Sequence, residues 1–326
     1  MAVYTVFSDD ELAEVARAFG LGLRTAKGIP HGSINTNFRL ETEQGTFFLR
    51  HSTVRTREDL SFEAALLAHL VPGGFPAPTP MVTASGEPFL SIRGGLASIF
   101  RYLAGEELSR SALTAEHCER VGAELAKLHR VGNSFIGERR NPYGPATVRA
   151  WVSELRQHPE ESIRSLGEEL DGLLQHSQSS AGGLLPRGAI HADLFMDNVK
   201  WVADRISAVF DFEMACRDAF ALDLAIALNA WCFSGGYDEQ LCRAIVRGYQ
   251  RERPLEVVEQ ESLFYQSLFG AVRYSASRIR DFHLSTLPPE RLARKDYRTY
   301  LMRARALAKM GPSQFRALVG LARRPG

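Results

Sequence analysis

The order of patterns along the chain predicts an α+β fold with two lobes. Strand-like segments fill the first third, helical periodicity dominates after Gly105, and the change falls at Tyr102-Leu103-Ala104-Gly105. A division into a sheet-bearing lobe, 1–103, and a mainly helical lobe, 104–326, follows.

Ser8-Asp9-Asp10-Glu11 is a helix start, with a capping serine and acids in the first turn. Leu12, Val15, Ala16 and Phe19 recur at helical spacing before Gly20 stops the run. From about Arg24 the pattern changes. Asn37 to Glu41, a Gln44-Gly45 turn and Thr46 to Arg50 read as paired strands. Asp59 to Leu70 is an amphipathic helix, with Leu60, Ala64, Leu67 and Leu70 on one face. Pro72, Pro76, Pro78 and Pro80 then enforce extended chain. A further hairpin is expected around Gly86-Glu87-Pro88, and Leu96 to Tyr102 is a strand. Helices are expected over Thr114–Val131 and Ala146–His176. A small polar linker runs from Ser177 to Gly183, and a short β-rich stretch, Arg187 to Asp211, interrupts the helices.

Composition narrows the function classes. The 326 residues, 45% hydrophobic and 24% charged, suffice for large buried cores. The 39 Lys and Arg against 38 Asp and Glu give a net charge of +1, without the basic excess of a nucleic-acid binder. Anions must be met locally, by a metal ion or a few placed cations. Cys118, Cys216, Cys232 and Cys242 form no CxxC pair and read as buried, reduced thiols. The first ten residues lack a basic region followed by an apolar core, so no secretory signal is expected. The most apolar run, Ala219 to Phe233, is interrupted by Asp223 and Asn229 and is too short for a membrane span. A cytoplasmic location, with no membrane and no nucleic-acid partner, is the expectation; no sequence signal bears on the oligomeric state.

The chemistry concentrates in two segments. His191-Ala192-Asp193-Leu194-Phe195-Met196-Asp197-Asn198 lies between the apolar Ala189-Ile190 and Val199-Lys200-Trp201. The next strand, Ile206 to Phe210, ends in Asp211-Phe212-Glu213. One loop thus carries a carboxylate and a carboxamide, and a strand end delivers a second carboxylate. Phosphoryl transfer needs such an inventory: a base for the attacking hydroxyl, and oxygen ligands for the Mg²⁺ that neutralises the β- and γ-phosphates. Asp193 suits the base; Asn198 and Asp211 suit the metal.

This HxDxxxxN followed by Asp-Phe resembles the catalytic and metal-binding loops of the aminoglycoside phosphotransferase and choline kinase superfamily, relatives of the protein kinases. Further segments are similar to the bacterial homoserine kinases of that superfamily. They include Gly32-Ser33-Ile34-Asn35-Thr36-Asn37-Phe38, Glu116-His117-Cys118, Leu128-His129, Asn229-Ala230-Trp231-Cys232-Phe233, Arg273 with Ser277-Arg278 and Asp281, and Lys295-Asp296. The resemblance implies a protein-kinase-like fold, ATP with Mg²⁺ bound between the lobes, and a small hydroxyl-bearing amino acid or amine as acceptor. L-homoserine, on the path to threonine, is the substrate it favours. The alternatives are another hydroxylated amine, such as choline, an amino alcohol or an aminoglycoside, or a kinase-shaped protein that binds nucleotide without transfer. It further implies that His191 anchors its loop and that Asp223 supports it.

Other candidates follow from position. Gly32, Ser33 and Asn35 lie on a glycine segment suited to cover phosphates, although no Gly-Lys-Ser/Thr follows as in a Walker A loop. Arg50 ends a strand where kinases place a phosphate-binding lysine, and Glu63 on the next helix is its expected partner. Asn229 and Trp231, with Arg273 and Arg278 on a later helix, are candidate substrate contacts; core packing is the competing reading for Trp231. Glu213 and Leu49-Arg50-His51-Ser52 depart from the homoserine-kinase pattern.

Overall fold

A computed structural model describes residues 5–29, 35–178, 184–285 and 295–321. The chain forms two compact units. The first contains Met1–Glu106, Phe135–Arg139 and Lys200–Glu213, and the second the remainder. Two later segments thus return to the first unit, which a single cut near Leu103 does not express.

In the first unit, β1 (Leu23–Ile29), β2 (Thr36–Thr42), β3 (Gly45–Ser52), β4 (Leu90–Ile92) and β5 (Gly95–Arg101) form one antiparallel sheet in the order β1-β2-β3-β5-β4. Helix α1 (Asp9–Ala18) starts at the expected capping box, with Ser8 and Glu11 bonding each other's backbone. Its Leu12, Val15 and Ala16 pack with Leu40, Phe47, Leu49 and Ile99 on one sheet face. Because side chains alternate along a strand, Leu49 in that core places Arg50 on the opposite face. Helix α2 (Arg57–Leu70), capped by Thr56 and Asp59, presents Glu63 to Arg50 there.

Two turns differ from expectation. The β2–β3 loop is Glu43-Gln44, because Thr42 pairs with Gly45. The chain does turn at Gly86, where the Thr83 N–H meets Glu87 O, but the strand-paired hairpin turns at Arg93-Gly94, with both residues at positive φ (50° and 69°). Such a two-residue turn matches the twist of its strands, which outweighs the reluctance of Arg93 to adopt a left-handed backbone. A second small sheet joins β6 (Glu106–Glu107), β8 (Val199–Val202) and β9 (Arg205–Val209).

The second unit is mainly helical: α3 (Ala115–Gly132), α4 (Pro145–Arg156), α5 (Glu161–Ser177), α6 (Phe220–Trp231), α7 (Glu239–Glu252), α8 (Val257–Arg278) and α9 (Arg298–Leu318). The single helix expected over Ala146–His176 is two, parted at Pro159, which lacks an N–H and disfavours helical backbone before it. Strands β7 (Arg187–Ile190) and β10 (Cys216–Ala219) pair antiparallel and bring the 191–198 loop out of the buried Ala189-Ile190. Helix α6 is buried all round and sits against α8, while α3 and α7 cross at Gly122 and Gly248. All four cysteines are buried and none is in a disulfide. Among the described residues, no helix is long and apolar enough to cross a membrane.

Candidate active site

In the second unit, the 191–198 loop is held from below by one buried carboxylate. Asp223, in the first turn of α6, accepts from the backbone N–H groups of His191 (Oδ2) and Ala192 (Oδ1), both at 2.7 Å. Its Oδ2 also meets His129 Nε2 at 3.0 Å. Burial alone would raise the Asp223 pKa, but the bond from His129 and the surrounding donors outweigh it and keep the carboxylate ionised.

Burial likewise keeps His129 neutral, so its proton position matters. Arg253 donates to the Tyr249 hydroxyl oxygen (3.1 Å), and that hydroxyl donates to His129 Nδ1 (2.7 Å). Nε2 therefore carries the imidazole proton toward Asp223. A chain of donors thus runs from α7 through α3 and ends on the α6 carboxylate, on which the two loop N–H groups also converge.

The loop needs that support because Ala192 has φ 63°, a left-handed conformation that costs a non-glycine residue roughly 1–2 kcal/mol. From the other side, α8 secures the Ala192 carbonyl, which accepts from Arg273 Nη1 (3.2 Å) and lies 3.0 Å from the Tyr274 hydroxyl oxygen. Asp193 is fixed along its main chain. Its N–H points to His191 Nδ1 (3.3 Å), and its carbonyl accepts from Asn198 Nδ2 (2.8 Å) and the Phe195 N–H (2.8 Å). The amide nitrogen of Asn198 being committed there, its Oδ1 is the atom left to act as a ligand. The Tyr274 hydroxyl reaches Asp193 Oδ1 at 2.6 Å.

The remaining candidates in this unit are three buried residues and one half-buried arginine. Asn229, 1% exposed, donates to Ser267 O and accepts from Tyr237, and Trp231 is fully buried with its indole N–H on Leu194 O. Core packing accounts for both. Arg273 is fully buried with its guanidinium over the Tyr143 and Tyr274 rings, a brace beneath the loop rather than an exposed anion hook. Arg278 is half-buried and bonds Asp296 O and Thr299 Oγ1.

In the first unit, Arg50 Nη2 meets Glu63 Oε2 at 2.5 Å, and its Nη1 lies 3.2 Å from Glu213 Oε1. Arg55 also donates to Glu63, and Asn35 Nδ2 donates to Glu213 Oε1 at 2.5 Å. Burial alone would lower the Arg50 pKa, but Glu63 and Glu213, with Asp211 nearby, outweigh it and hold the guanidinium charged. Arg139, in a returning segment, donates to the Glu213 carbonyl (2.8 Å) and pairs with Asp59 (2.8 Å), which fixes the chain just past Asp211. Asp211 itself has φ 65°, and the neighbouring Phe212 is buried edge-on to Phe75. Non-glycine residues in that backbone region persist only where their surroundings over-determine them, as they often do at functional sites. Gly32 and Ser33 lie outside the described residues.

Sequence reasoning did not single out Tyr274, Arg55 or Arg139, none of which belongs to a local pattern. Glu213 stood out only as a departure, and His129 only as part of a similar segment.

Comparison with known proteins identifies the lineage. The profile of the phosphotransferase enzyme family matches residues 25–255. A homoserine kinase from Caulobacter vibrioides is 38% identical over 86% of this chain and 90% of its own. One from Paramagnetospirillum magneticum is 35% identical over 97% and 99%. Among solved structures, amicoumacin kinase in complex with AMP-PNP and Ca²⁺ superposes with a TM-score of 0.71 at 16% identity, covering 94% of this chain and 95% of that one. An aminoglycoside phosphotransferase from Alicyclobacillus acidocaldarius gives 0.67 at 17%, covering 96% and 97%. At those identities the structures establish the shared kinase-like fold, and the sequence relatives carry the narrower likeness. The chain belongs to the phosphotransferase enzyme family, with bacterial homoserine kinases as its relatives within it.

Proposed function

We propose that this chain is an ATP-dependent kinase that phosphorylates the hydroxyl of L-homoserine, a step toward threonine, in the cytoplasm. The observation that carries the reading is the 35–38% identity to homoserine kinases over 86–97% of the chain. The built loop around Asp193 supports it, because a base held at its N–H, its carbonyl and one carboxylate oxygen is suited to directional proton transfer.

In this reading Asp193 accepts the proton of the acceptor hydroxyl as the oxygen attacks the γ-phosphorus. The Asn198 amide oxygen and the Asp211 carboxylate are hard ligands, which fits Mg²⁺; that ion typically takes one or two protein oxygens and completes its shell with water and phosphate. When bound, Mg²⁺ neutralises charge on the transferring phosphate. Arg50 supplies a fixed cation for the nucleotide phosphates, oriented by Glu63, and Asn35 ends the glycine segment that covers them. His191 and Asp223 keep the loop in register.

The test is an ATP-dependent product assay over homoserine, choline, ethanolamine, hydroxylysine, methylthioribose and aminoglycosides, with the phosphorylated product identified by mass. Homoserine is expected to give the highest kcat/KM. Product from another acceptor and none from homoserine would overturn the substrate while leaving the family intact, and no turnover of any acceptor would favour a nucleotide-binding role.

A further inference from the structure

We infer that Tyr274 is a positioning residue for the proposed base: its hydroxyl holds Asp193 Oδ1 and leaves Oδ2 to receive the acceptor's proton. The inference rests on the reading of Asp193 as that base.

Tyr274 lies 81 residues further along the chain, on α8, with its oxygen 2.6 Å from Asp193 Oδ1 and 3.0 Å from the Ala192 carbonyl. One hydroxyl has one proton to give, so the two acceptors compete. The Ala192 carbonyl already receives Arg273 Nη1 at 3.2 Å, whereas 2.6 Å is the length expected of a hydroxyl bonded to an ionised carboxylate. The proton therefore belongs on the Asp193 side. Burial pushes the phenol well above its ordinary pKa, so Tyr274 remains a donor throughout the working pH range.

The ring cannot easily turn away. Phe195 lies 5.1 Å from it, Tyr300 4.7 Å, and the Arg273 guanidinium 4.7 Å above its face. Oδ2 of Asp193 has no hydrogen-bond partner among the described residues, and Asp193 is only half-buried. With the main chain already tied, the Tyr274 bond removes the remaining freedom of the carboxylate to rotate among its alternative orientations. The acceptor O–H bond then breaks toward Oδ2 while the new O–P bond forms and ADP departs.

Tyr274→Phe removes the hydroxyl and keeps the packed ring. With homoserine and MgATP, kcat is expected to fall about ten- to a hundredfold, the scale on which slight misplacement of a reacting group is felt. Both KM values should stay within about twofold, because an interaction used only at the transition state lowers kcat and kcat/KM together. The decisive readout is the same change made in Asp193→Asn. If Tyr274 acts through the carboxylate, adding Tyr274→Phe to that variant lowers kcat no further. An equal fold-loss in both backgrounds, or wild-type kcat in Tyr274→Phe, overturns the role. Full turnover by Asp193→Asn would overturn the base assignment and this role with it, an outcome distinct from a silent Tyr274→Phe alone. Should Tyr274→Phe fail to fold, 3-fluorotyrosine at position 274 keeps the hydroxyl. Its fluorine resonance should move on Asp193→Asn, and an unmoved resonance would refute the bond.

Discussion

Replacing Glu63 with Gln isolates the charge that organises the first unit. Glu63 is 2% exposed and serves two guanidinium groups, Arg50 at 2.5 Å and Arg55. Glutamine has nearly the same volume, so no cavity opens and the loss is electrostatic. Each charge-assisted bond contributes about 1.5–3 kcal/mol, and removing one member of a buried ion pair costs about 3–5 kcal/mol in total. Glu213 remains 3.2 Å from Arg50 and 4.0 Å from Arg55, which places the expectation at the lower end, ~3 kcal/mol. At about 2–4 °C per kcal/mol for domains of this size, the thermal midpoint should drop by roughly 6–12 °C at neutral pH. The pH dependence supplies an independent check. Burial alone would raise the Glu63 pKa, but Arg50 and Arg55 outweigh it and hold the carboxyl below its ordinary 4.5. A depressed carboxylate contributes fully above its unfolded value, and that contribution disappears as pH falls through the folded one. The gap between wild type and Glu63→Gln should accordingly close on acidification below 4.5. Unchanged melting at neutral pH, or a gap that persists to the acid end, would refute the reasoning.

Five further variants have expected outcomes. Asp193→Asn should lose about two to four orders of magnitude in kcat with nucleotide affinity nearly intact, while Asp211→Asn weakens metal-dependent nucleotide binding; titration of both variants with MgATP separates the two. Arg50→Ala should raise KM for MgATP roughly ten- to a hundredfold in steady-state kinetics, the scale of one charge-assisted contact. Asp223→Ala strips the partner from two loop N–H groups and from His129, so stability should fall by about 3–5 kcal/mol in urea melts, with turnover collapsing alongside. In Gly122→Ala the new Cβ would stand 2.0 Å from Ile245 O, a backbone atom that cannot yield unless α3 and α7 part. A loss of about 1–3 kcal/mol should outweigh the helix-propensity gain, as denaturant unfolding would show.

What the sequence determined by itself is what short stretches of chain encode. The capping box at Ser8, the alternation through Phe47, Leu49 and Arg50, and the HxDxxxxN loop between apolar strands each depend on residues within a few positions of one another. That was sufficient for the α+β class, the family and the loop carrying Asp193 and Asn198. Arg50 and Glu63, only 13 positions apart, were also within reach, because a strand and the helix that follows it have few ways to meet. Tertiary structure alone decided the partners that brace this loop and Glu213. Asp223 reaches it from about 30 residues away, His129 reaches Asp223 from 94, and Asn35 meets Glu213 across 178. Packing likewise decided that Asn229, Trp231 and Arg273 are buried. Helix α6 is enclosed on every side, so no periodic stripe marks an inner face, and Arg273 sits among residues whose neighbours lie on other elements. A side chain's local pattern states which secondary structure it joins; which distant carbonyl or carboxylate completes its hydrogen bonds is set by how the buried faces fit together.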